Sequence, residues 1–321
     1  MSVLLQITGL HVEYPMGGGR FVHAVSDVTL AVHEGETLGL VGESGSGKSS
    51  LARALLQLPP PNRGSVDFGG KDLAKLTGES LRAMRPRLQM IFQDPIASLN
   101  PRRKVCDIVA EPLIVSGIGN GAQRTTRVRA VLEAVGLDPD SVWNRRPHEF
   151  SGGQCQRIAI ARALVLEPKL IVCDEPVSAL DVSIRAQILN LLEDMKARFG
   201  LTLLFIAHDL AVVKSVSDRV AVMYLGKLCE VADSESLFAA PAHPYTAALM
   251  AAIPEPNPDM PLGDSKLKPG DPPSPLNPPS GCRFRTRCPH AQAKCASDVP
   301  PLRQIGVGRE VACHFPLIAV Q

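Results

Sequence analysis

Lys48 and Ser49 close a glycine-rich run, Gly42-Glu43-Ser44-Gly45-Ser46-Gly47-Lys48-Ser49. The run follows an apolar stretch, 37–41, and Ser50 opens a segment of helical character. Strand, glycine-rich loop and helix form the context in which backbone N–H groups converge on phosphate oxygens. There a lysine reaches the β- and γ-phosphates and a serine hydroxyl ligates Mg²⁺. The run therefore predicts a nucleoside-triphosphate site, against the alternative of a chance Gly/Ser-rich turn.

Two adjacent carboxylates, Asp174 and Glu175, follow the apolar run 170–173. A buried strand that ends in acidic residues suits a metal site beside a phosphate loop. We expect Asp174 to hold Mg²⁺ through water and Glu175 to polarise the attacking water as general base. The alternative, a pair of idle surface acids, is disfavoured because a buried carboxylate pair is costly without a cation.

Two further positions suggest contacts to an anion. Ser151 is a good helix N-cap, and Gly152 and Gly153 after it present bare N–H groups at a helix start, followed by Gln154. His208 follows the strand candidate 201–207, at the end of a strand where α/β folds place ligands. A purely structural histidine is the alternative for His208.

The elements that must position these residues alternate between strand and helix patterns. Strand periodicity occurs in 3–14 and 22–32, and a buried strand is expected at 88–92. Helical periodicity dominates 102–116 and 123–136, and further helices are expected at 154–166 and 182–199. The pattern predicts a helical insert within an α/β chain.

Composition limits the classes of function. The 321 residues leave room for about two domains. The net charge of +2 and the aromatic content of 4% argue against a nucleic-acid partner. No signal peptide or bilayer-spanning segment is evident, so we expect a cytosolic protein that lies against a membrane protein.

Taken together, six motifs resemble the ATP-binding-cassette (ABC) ATPase family in order and spacing. They are the phosphate loop, the Gln93 loop, FSGGQ at 150–154, LIVCDE at 170–175, SALD at 178–181 and His208. The resemblance implies that two cassettes close head to tail, so that FSGGQ of one faces the γ-phosphate held by the other. It implies that Gln93 ligates Mg²⁺ and senses a permease, and that His208 contacts the γ-phosphate.

The resemblance also completes the set of expected site residues. Tyr14 is expected to stack on adenine, the alternative being an ordinary strand aromatic. The expected nucleotide contacts are Tyr14, Gly42, Ser44, Gly45, Ser46, Gly47, Lys48, Ser49, Ser50, Gln93, Ser151, Gly152, Gly153, Gln154, Asp174 and Asp181. The expected catalytic residues are Glu175, His208 and Gln93, and the expected Mg²⁺ ligands are Ser49, Gln93 and Asp174.

Three segments narrow the resemblance to the oligopeptide/dipeptide/nickel permease ATPases: 92–102, 147–154 and 243–249. This resemblance implies an ATPase that drives peptide import from the cytoplasmic face of the membrane. The implied partners are a second cassette (itself or a homologue), two transmembrane permease subunits and, indirectly, an extracytoplasmic solute-binding protein. Nickel or another small solute as cargo, and a non-transport ABC ATPase, are the alternatives.

The predicted fold is therefore α/β: a phosphate-loop ATPase core with an antiparallel β subdomain, a helical signature subdomain and a Cys-rich C-terminal extension. The expected nucleotide-binding domain is 1–253, with its helical part at about 94–166. A proline-rich linker is expected at 254–281 and a metal- or cluster-binding segment at 282–321.

The tail carries four cysteines, Cys282, Cys288, Cys295 and Cys313. Structural zinc usually shows a tight C-x₂₋₄-C pair, which is absent, whereas four thiolates suit a [4Fe–4S] cluster. Permease ATPases with this tail resemble proteins that carry such a cluster, with Zn²⁺ or unliganded thiols as the alternatives. Elsewhere, Cys155 near a helix N-terminus is expected to be a reactive thiol that ATP binding covers, the alternative being an inert side chain inside the helical subdomain.

Overall fold

The computed structural model describes residues 2–252 and 271–318. The linker predicted at 254–281 thus lies mostly outside the described residues. The chain divides into two compact units. The first comprises His33–Glu36 and Lys75–Phe205, and the second comprises Ser2–Val32, Thr37–Ala74 and the chain from Ile206 onward.

The strands of the described chain are β1 Val3–Pro15, β2 Phe21–His33, β3 Thr37–Val41, β4 Arg63–Phe68, β5 Leu88–Ile91, β6 Leu170–Asp174, β7 Thr202–Ile206, β8 Arg219–Tyr224, β9 Lys227–Asp233, β10 Arg303–Gly306 and β11 Arg309–Val311. The helices are α1 Lys48–Leu55, α2 Gly78–Met84, α3 Pro95–Ser98, α4 Val105–Val115, α5 Gly121–Ala134, α6 Pro139–Val142, α7 Gly152–Leu164, α8 Val182–Phe199, α9 Leu210–Val216, α10 Ser234–Ala239, α11 Pro244–Ala251 and α12 Lys294–Ser297. Short 3₁₀ turns occur at Leu73–Lys75, Arg85–Arg87 and Pro147–Glu149.

The second unit contains the antiparallel β subdomain that the sequence predicts. Its strands follow the order β2-β1-β4, and β1 runs antiparallel to β4 with Leu5 opposite Phe68. Leu5, Ile7 and Phe68 are fully buried. Apolar residues at alternate positions of β1 thus face the core, which explains the strand-like periodicity of this part of the sequence.

The second unit also carries the strand that leads into the phosphate loop. Its other strands follow the order β10-β11-β9-β8-β3. Strand β3 is parallel to β8, and β8 is antiparallel to β9. All five residues of β3 are buried, which fixes the start of the loop at the end of a rigid strand.

The first unit holds strands in the order β7-β6-β5, with β5 parallel to β6. Helices α3 to α7 lie between β5 and β6 in the chain, so the predicted helical insert is present. The signature helix α7 begins at Gly152, two residues before the predicted start, because Ser151 caps it. Helix α8 has the predicted bounds and ends at Gly200, whose φ of 60° terminates it.

The tail after residue 271 contains regular structure that the sequence reading did not predict. Strand β11 pairs antiparallel with β9, with Glu310 opposite Val231 and Val311 opposite Glu230. Strand β10 then pairs with β11. Among the helices of the described residues, none has the length and apolar character needed to cross a bilayer.

Candidate nucleotide site

The phosphate loop lies in the second unit, between β3 and α1. The Lys48 side chain is 5% exposed, and its Nζ donates to the carbonyl oxygens of Gly42 at 2.7 Å and Glu43 at 3.1 Å. Ser44 and Gly45 at the loop tip are exposed, and Ser49 and Ser50 in the first turn of α1 are half-buried. The loop thus arches over a buried ammonium group and leaves its tip open to a ligand.

Two glycines of this loop are sterically required. A Cβ at Gly42 would lie 2.0 Å from the carbonyl oxygen of Met223, and one at Gly47 would lie 2.1 Å from that of Ala24. Both glycines also have positive φ, 155° and 104°. The loop can adopt its shape only with glycine at these positions. The Gly226 N–H also donates to the Ser46 carbonyl at 2.8 Å.

The carboxylate pair lies in the first unit, where β6 ends. Asp174 is 2% exposed and closes a strand whose five residues are all buried. Glu175 follows with φ 49°, and its Oε2 accepts a hydrogen bond from Nε2 of Gln93 at 3.0 Å. Gln93 comes just after β5, the neighbour of β6. The structure therefore brings together two of the three predicted catalytic residues.

The signature segment forms a capped helix start in the first unit. Ser151 Oγ accepts from the Gln154 N–H at 3.3 Å, and Gln154 Oε1 accepts from the Ser151 N–H at 3.0 Å. This reciprocal pair is a capping box, which fixes the first turn of α7. Ser151 and Gln154 are exposed, and Gly152 and Gly153 are half-buried.

The remaining predicted residues are distributed over both units. In the second unit, His208 is exposed just after β7, and the carboxylate of Asp209 caps α9 by accepting from the N–H groups of Ala211 and Val212. Tyr14 is half-buried near the end of β1. In the first unit, Asp181 is exposed and precedes α8.

Comparison with known proteins identifies the family. A family profile described as ABC transporter matches residues 25–178, and one described as oligopeptide/dipeptide transporter, C-terminal region, matches 229–295. The oligopeptide transport ATP-binding protein OppF of Escherichia coli is 53% identical over 311 residues, which cover 94% of this chain and 93% of OppF. The chain belongs to the ABC transporter family of ATP-binding proteins. It is an ABC ATPase.

Solved structures of ABC cassettes share its fold. A dimeric MJ0796 cassette in a post-hydrolysis state, bound to ADP and phosphate, matches with a TM-score of 0.65 at 29% identity. The match covers 72% of this chain and 98% of that cassette. CbiO1 of Clostridium perfringens, part of the ABC transporter complex CbiONQ, matches with a TM-score of 0.66 at 27% identity, over 74% of this chain and 92% of CbiO1.

The expectation of a reactive Cys155 in this ABC ATPase is wrong. The side chain is fully buried, and its Sγ donates to the carbonyl oxygen of Pro147 at 3.5 Å. Burial raises the pKa of the Cys155 thiol. The thiol is therefore held protonated inside the helical part of the first unit, as the alternative reading proposed.

The four tail cysteines line a single cavity in the second unit. Cys288 and Cys295 are buried, and the Cys282 N–H donates to the Cys295 carbonyl at 2.9 Å. Burial, together with the neighbouring thiols, raises the pKa of Cys313 to about 11. Within residues 2–252 and 271–318, no group of three or more His, Cys, Asp or Glu side chains is arranged around a single metal ion.

Sequence reasoning missed two residues that contact the phosphate loop of this ABC ATPase. The Tyr245 hydroxyl accepts from the Glu43 N–H at 2.9 Å, and Nη1 of Arg287 donates to both carboxylate oxygens of Glu43 at 3.0 and 2.9 Å. Tyr245 belongs to the segment 243–249, which the resemblance singled out without assigning it a role. No sequence signal pointed to Arg287.

Proposed function

We propose that this ABC ATPase energises a membrane permease that imports peptides. The observation that carries the proposal is the 53% identity to OppF of E. coli over 94% of the chain. The likeness extends to residues 229–295, which match the C-terminal region of oligopeptide/dipeptide transporters and lie outside the matched ABC transporter segment. ATP hydrolysis alone does not require this second region, so it points to the transport system rather than to ATP chemistry.

The phosphate loop supplies the binding half of the proposed reaction. Lys48 places a cation at the base of the loop, and the N–H groups of the loop and of the first turn of α1 offer hydrogen bonds to phosphate oxygens. The residues that border these N–H groups are Ser44, Gly45, Ser46 and Ser50. Tyr14 would stack on the adenine ring, and His208 would contact the γ-phosphate.

The carboxylate pair supplies the catalytic half. Glu175 accepts a proton from the attacking water, and the hydrogen bond from Gln93 orients its carboxylate for that transfer. The donor set of Ser49, Asp174 and Gln93 consists of oxygen donors, which Mg²⁺ prefers. Bound Mg²⁺ would neutralise charge on the phosphates during transfer.

The signature residues act on a second cassette in this proposal. The capped start of α7 faces the γ-phosphate of a partner cassette and consists of Ser151, Gly152, Gly153 and Gln154. Asp181, which precedes α8, belongs to the same proposed nucleotide contacts. The MJ0796 cassette, whose structure is dimeric, supports this arrangement. Two transmembrane permease subunits then anchor the pair at the cytoplasmic face of the membrane, and a solute-binding protein delivers the cargo.

We also propose that the tail cysteines hold a [4Fe–4S] cluster, with Zn²⁺ as the alternative. Four thiols line one cavity, which is the ligand number that such a cluster takes. Burial, and to a lesser extent the neighbouring thiols, raises the pKa of Cys282 and Cys313, and binding to iron would stabilise their thiolate forms.

The transport proposal is tested by reconstitution. The full chain, a partner cassette, both permease subunits and the binding protein are placed in vesicles with ATP. We expect labelled oligopeptides to accumulate and to stimulate ATP hydrolysis, while Ni²⁺ does neither. Uptake of Ni²⁺ without uptake of peptide would assign the chain to the alternative cargo, and ATP hydrolysis unaffected by the permease would contradict the transport role.

The cluster proposal is tested by metal analysis of anaerobically purified chain. We expect about four iron and four sulfide per chain. The Cys288→Ser variant should lose both but still bind ATP. Stoichiometric zinc without sulfide would replace the cluster with the alternative metal. Cys106→Ser is the control, since Cys106 lies in α4 of the first unit and is not one of the four tail cysteines.

A further inference from the structure

Glu43 places a carboxylate inside the phosphate loop. It is the second residue of the run, its side chain is 27% exposed, and its carbonyl oxygen accepts from Lys48 Nζ. A full negative charge near a triphosphate site opposes binding, because like charges repel strongly where water is partly excluded. The loop therefore needs a cation that cancels this charge without occupying the phosphate position.

Arg287 supplies that cation from the tail. Its Nη1 lies within 3.0 Å of both Glu43 oxygens, and the side chain is only 12% exposed. Partial burial keeps solvent and salt from screening the pair as they screen an exposed one. The guanidinium also lies 5.9 Å from the centre of the Tyr224 ring, which gives it a second electrostatic contact.

The position of Arg287 is fixed by an aromatic cluster, defined here as Tyr224, Tyr245 and Phe284. Phe284 is 1% exposed, and its ring centre lies 5.3 Å from those of both tyrosines. The carbonyl oxygen of Phe284 accepts from the Arg287 N–H at 3.0 Å. Tyr245 in the same cluster holds the Glu43 N–H. One buried cluster thus positions both the backbone and the side chain of Glu43.

We propose that Arg287 is a positioning residue for ATP binding, which neutralises Glu43 and so keeps the phosphate loop receptive to the triphosphate. The proposal rests on the proposed role of the phosphate loop. Arg287 acts through Glu43 and does not itself touch the nucleotide. Its effect should therefore depend on the charge of Glu43 and on the number of phosphates in the ligand.

The test measures nucleotide affinity for the full-length chain in four forms: wild type, Arg287→Met, Glu43→Gln and the double variant. We expect Arg287→Met to weaken ATP binding about tenfold, as for a coupled charge pair. Glu43→Gln should bind at least as tightly as wild type. The double variant should return to near wild type, because no uncompensated carboxylate remains. Arg287→Lys, which keeps the charge, should lose less than Arg287→Met.

A second measurement separates electrostatics from packing. The loss in Arg287→Met should be large for ATP, smaller for AMP and absent for adenosine. If Arg287 only packs the tail, the double variant stays as weak as Arg287→Met and adenosine is affected equally; either result overturns the proposal. Where Arg287→Met alone is insoluble, the double variant keeps the proposal falsifiable, since weak ATP binding by the double variant contradicts it.

Two controls identify which idea fails. Arg285→Met removes a neighbouring tail cation that donates to Ser280 rather than to the loop, and it should leave ATP affinity unchanged. Lys48→Ala tests the loop itself. If Lys48→Ala weakens binding and Arg287→Met does not, the role of Arg287 is wrong and the phosphate loop stands. If neither variant weakens binding, the proposed role of the loop fails as well.

Discussion

At the scale of single residues, Glu175 is the position on which turnover depends most directly. Glu175→Gln preserves the shape of the side chain, and its amide oxygen can still accept the hydrogen bond from Gln93. What it removes is the proton acceptor. We expect ATP affinity within a few-fold of wild type and a loss of hydrolysis of about 10²–10⁴, measured by single-turnover kinetics.

Glu167→Gln is the matched control for this variant. Glu167 also has positive φ, 52° against 49° for Glu175, but it is exposed at the end of α7. The Glu167→Gln variant should hydrolyse ATP at the wild-type rate. Wild-type turnover by Glu175→Gln would assign the base to another residue.

Residue types predicted local structure better than they predicted side-chain direction. The loop that holds Lys48 and the buried strand that ends at Asp174 could be predicted from the sequence, because each requires a local pattern. Cys155 could not, since its reactivity depends on which face of α7 it occupies. Position in the first turn favoured a thiolate, whereas burial against the Pro147 carbonyl raises the thiol pKa.

At the scale of elements, Gly153 controls the packing of α7 against α8. A Cβ at this position would lie 2.6 Å from Cγ2 of Ile184, so alanine forces the two helices apart or moves Ile184. We expect Gly153→Ala to lower the free energy of unfolding by about 1–3 kcal/mol, as overpacking does. Chemical denaturation of the full chain measures this change.

Two variants test that explanation. Gly121→Ala also adds a methyl group in the first turn of a helix, but no atom lies within 4 Å of the added Cβ, so stability should not fall. Ile184→Ala should restore part of the loss when combined with Gly153→Ala. A double variant no more stable than Gly153→Ala would contradict the steric account.

Helix α11 introduces a pH dependence through its cap. His243 Nδ1 accepts from the Tyr245 N–H at 3.0 Å, and burial lowers the pKa of His243 from 6.5 to about 3. In the unfolded chain His243 therefore binds a proton below pH 6.5, whereas in the folded chain it binds one only below about pH 3. The free energy of unfolding should fall as pH decreases through this window.

Replacing His243 by asparagine should reduce the slope of the free energy of unfolding against pH by up to the equivalent of one bound proton. The asparagine amide can still cap α11 but does not titrate. Denaturation curves at several pH values give the slope. His148→Asn removes an exposed histidine and serves as control. An unchanged slope in His243→Asn would mean that other groups control acid stability.

The hydrophobic periodicity of the sequence predicted secondary structure well where it continues over many residues. Helix α8 has 18 residues with one buried face, and its bounds were predicted correctly. Strands β10 and β11 were missed, because they have four and three residues and only one buried position each. Strand β11 is stabilised by pairing with β9, and β10 by pairing with β11. Neither pairing can be predicted from a local sequence pattern.

At the scale of the whole molecule, the proposed head-to-tail dimer makes Ser151 act away from its own nucleotide. Ser151→Ala should leave ATP affinity of the isolated chain unchanged and abolish most turnover in the assembled transporter. Equilibrium binding on the isolated chain and hydrolysis by the assembly separate the two effects. Equal loss of binding and turnover would contradict the dimer.

Ser151 also caps α7, so the alanine variant costs about 1 kcal/mol of helix stability. Ser151→Asn keeps a good cap but replaces the hydroxyl with a carboxamide. It should retain the stability of wild type and still lose turnover. Full turnover by Ser151→Asn would reduce Ser151 to a structural cap.

The pairing of Glu43 with Arg287 joins positions 244 residues apart, and it therefore bears on biosynthesis. A growing polypeptide presents its phosphate loop long before the arginine that neutralises it has been translated. Under the proposed role of Arg287, chains released prematurely by the ribosome carry an uncompensated carboxylate in that loop and bind ATP poorly. Unfinished copies would then compete weakly with completed ones for nucleotide.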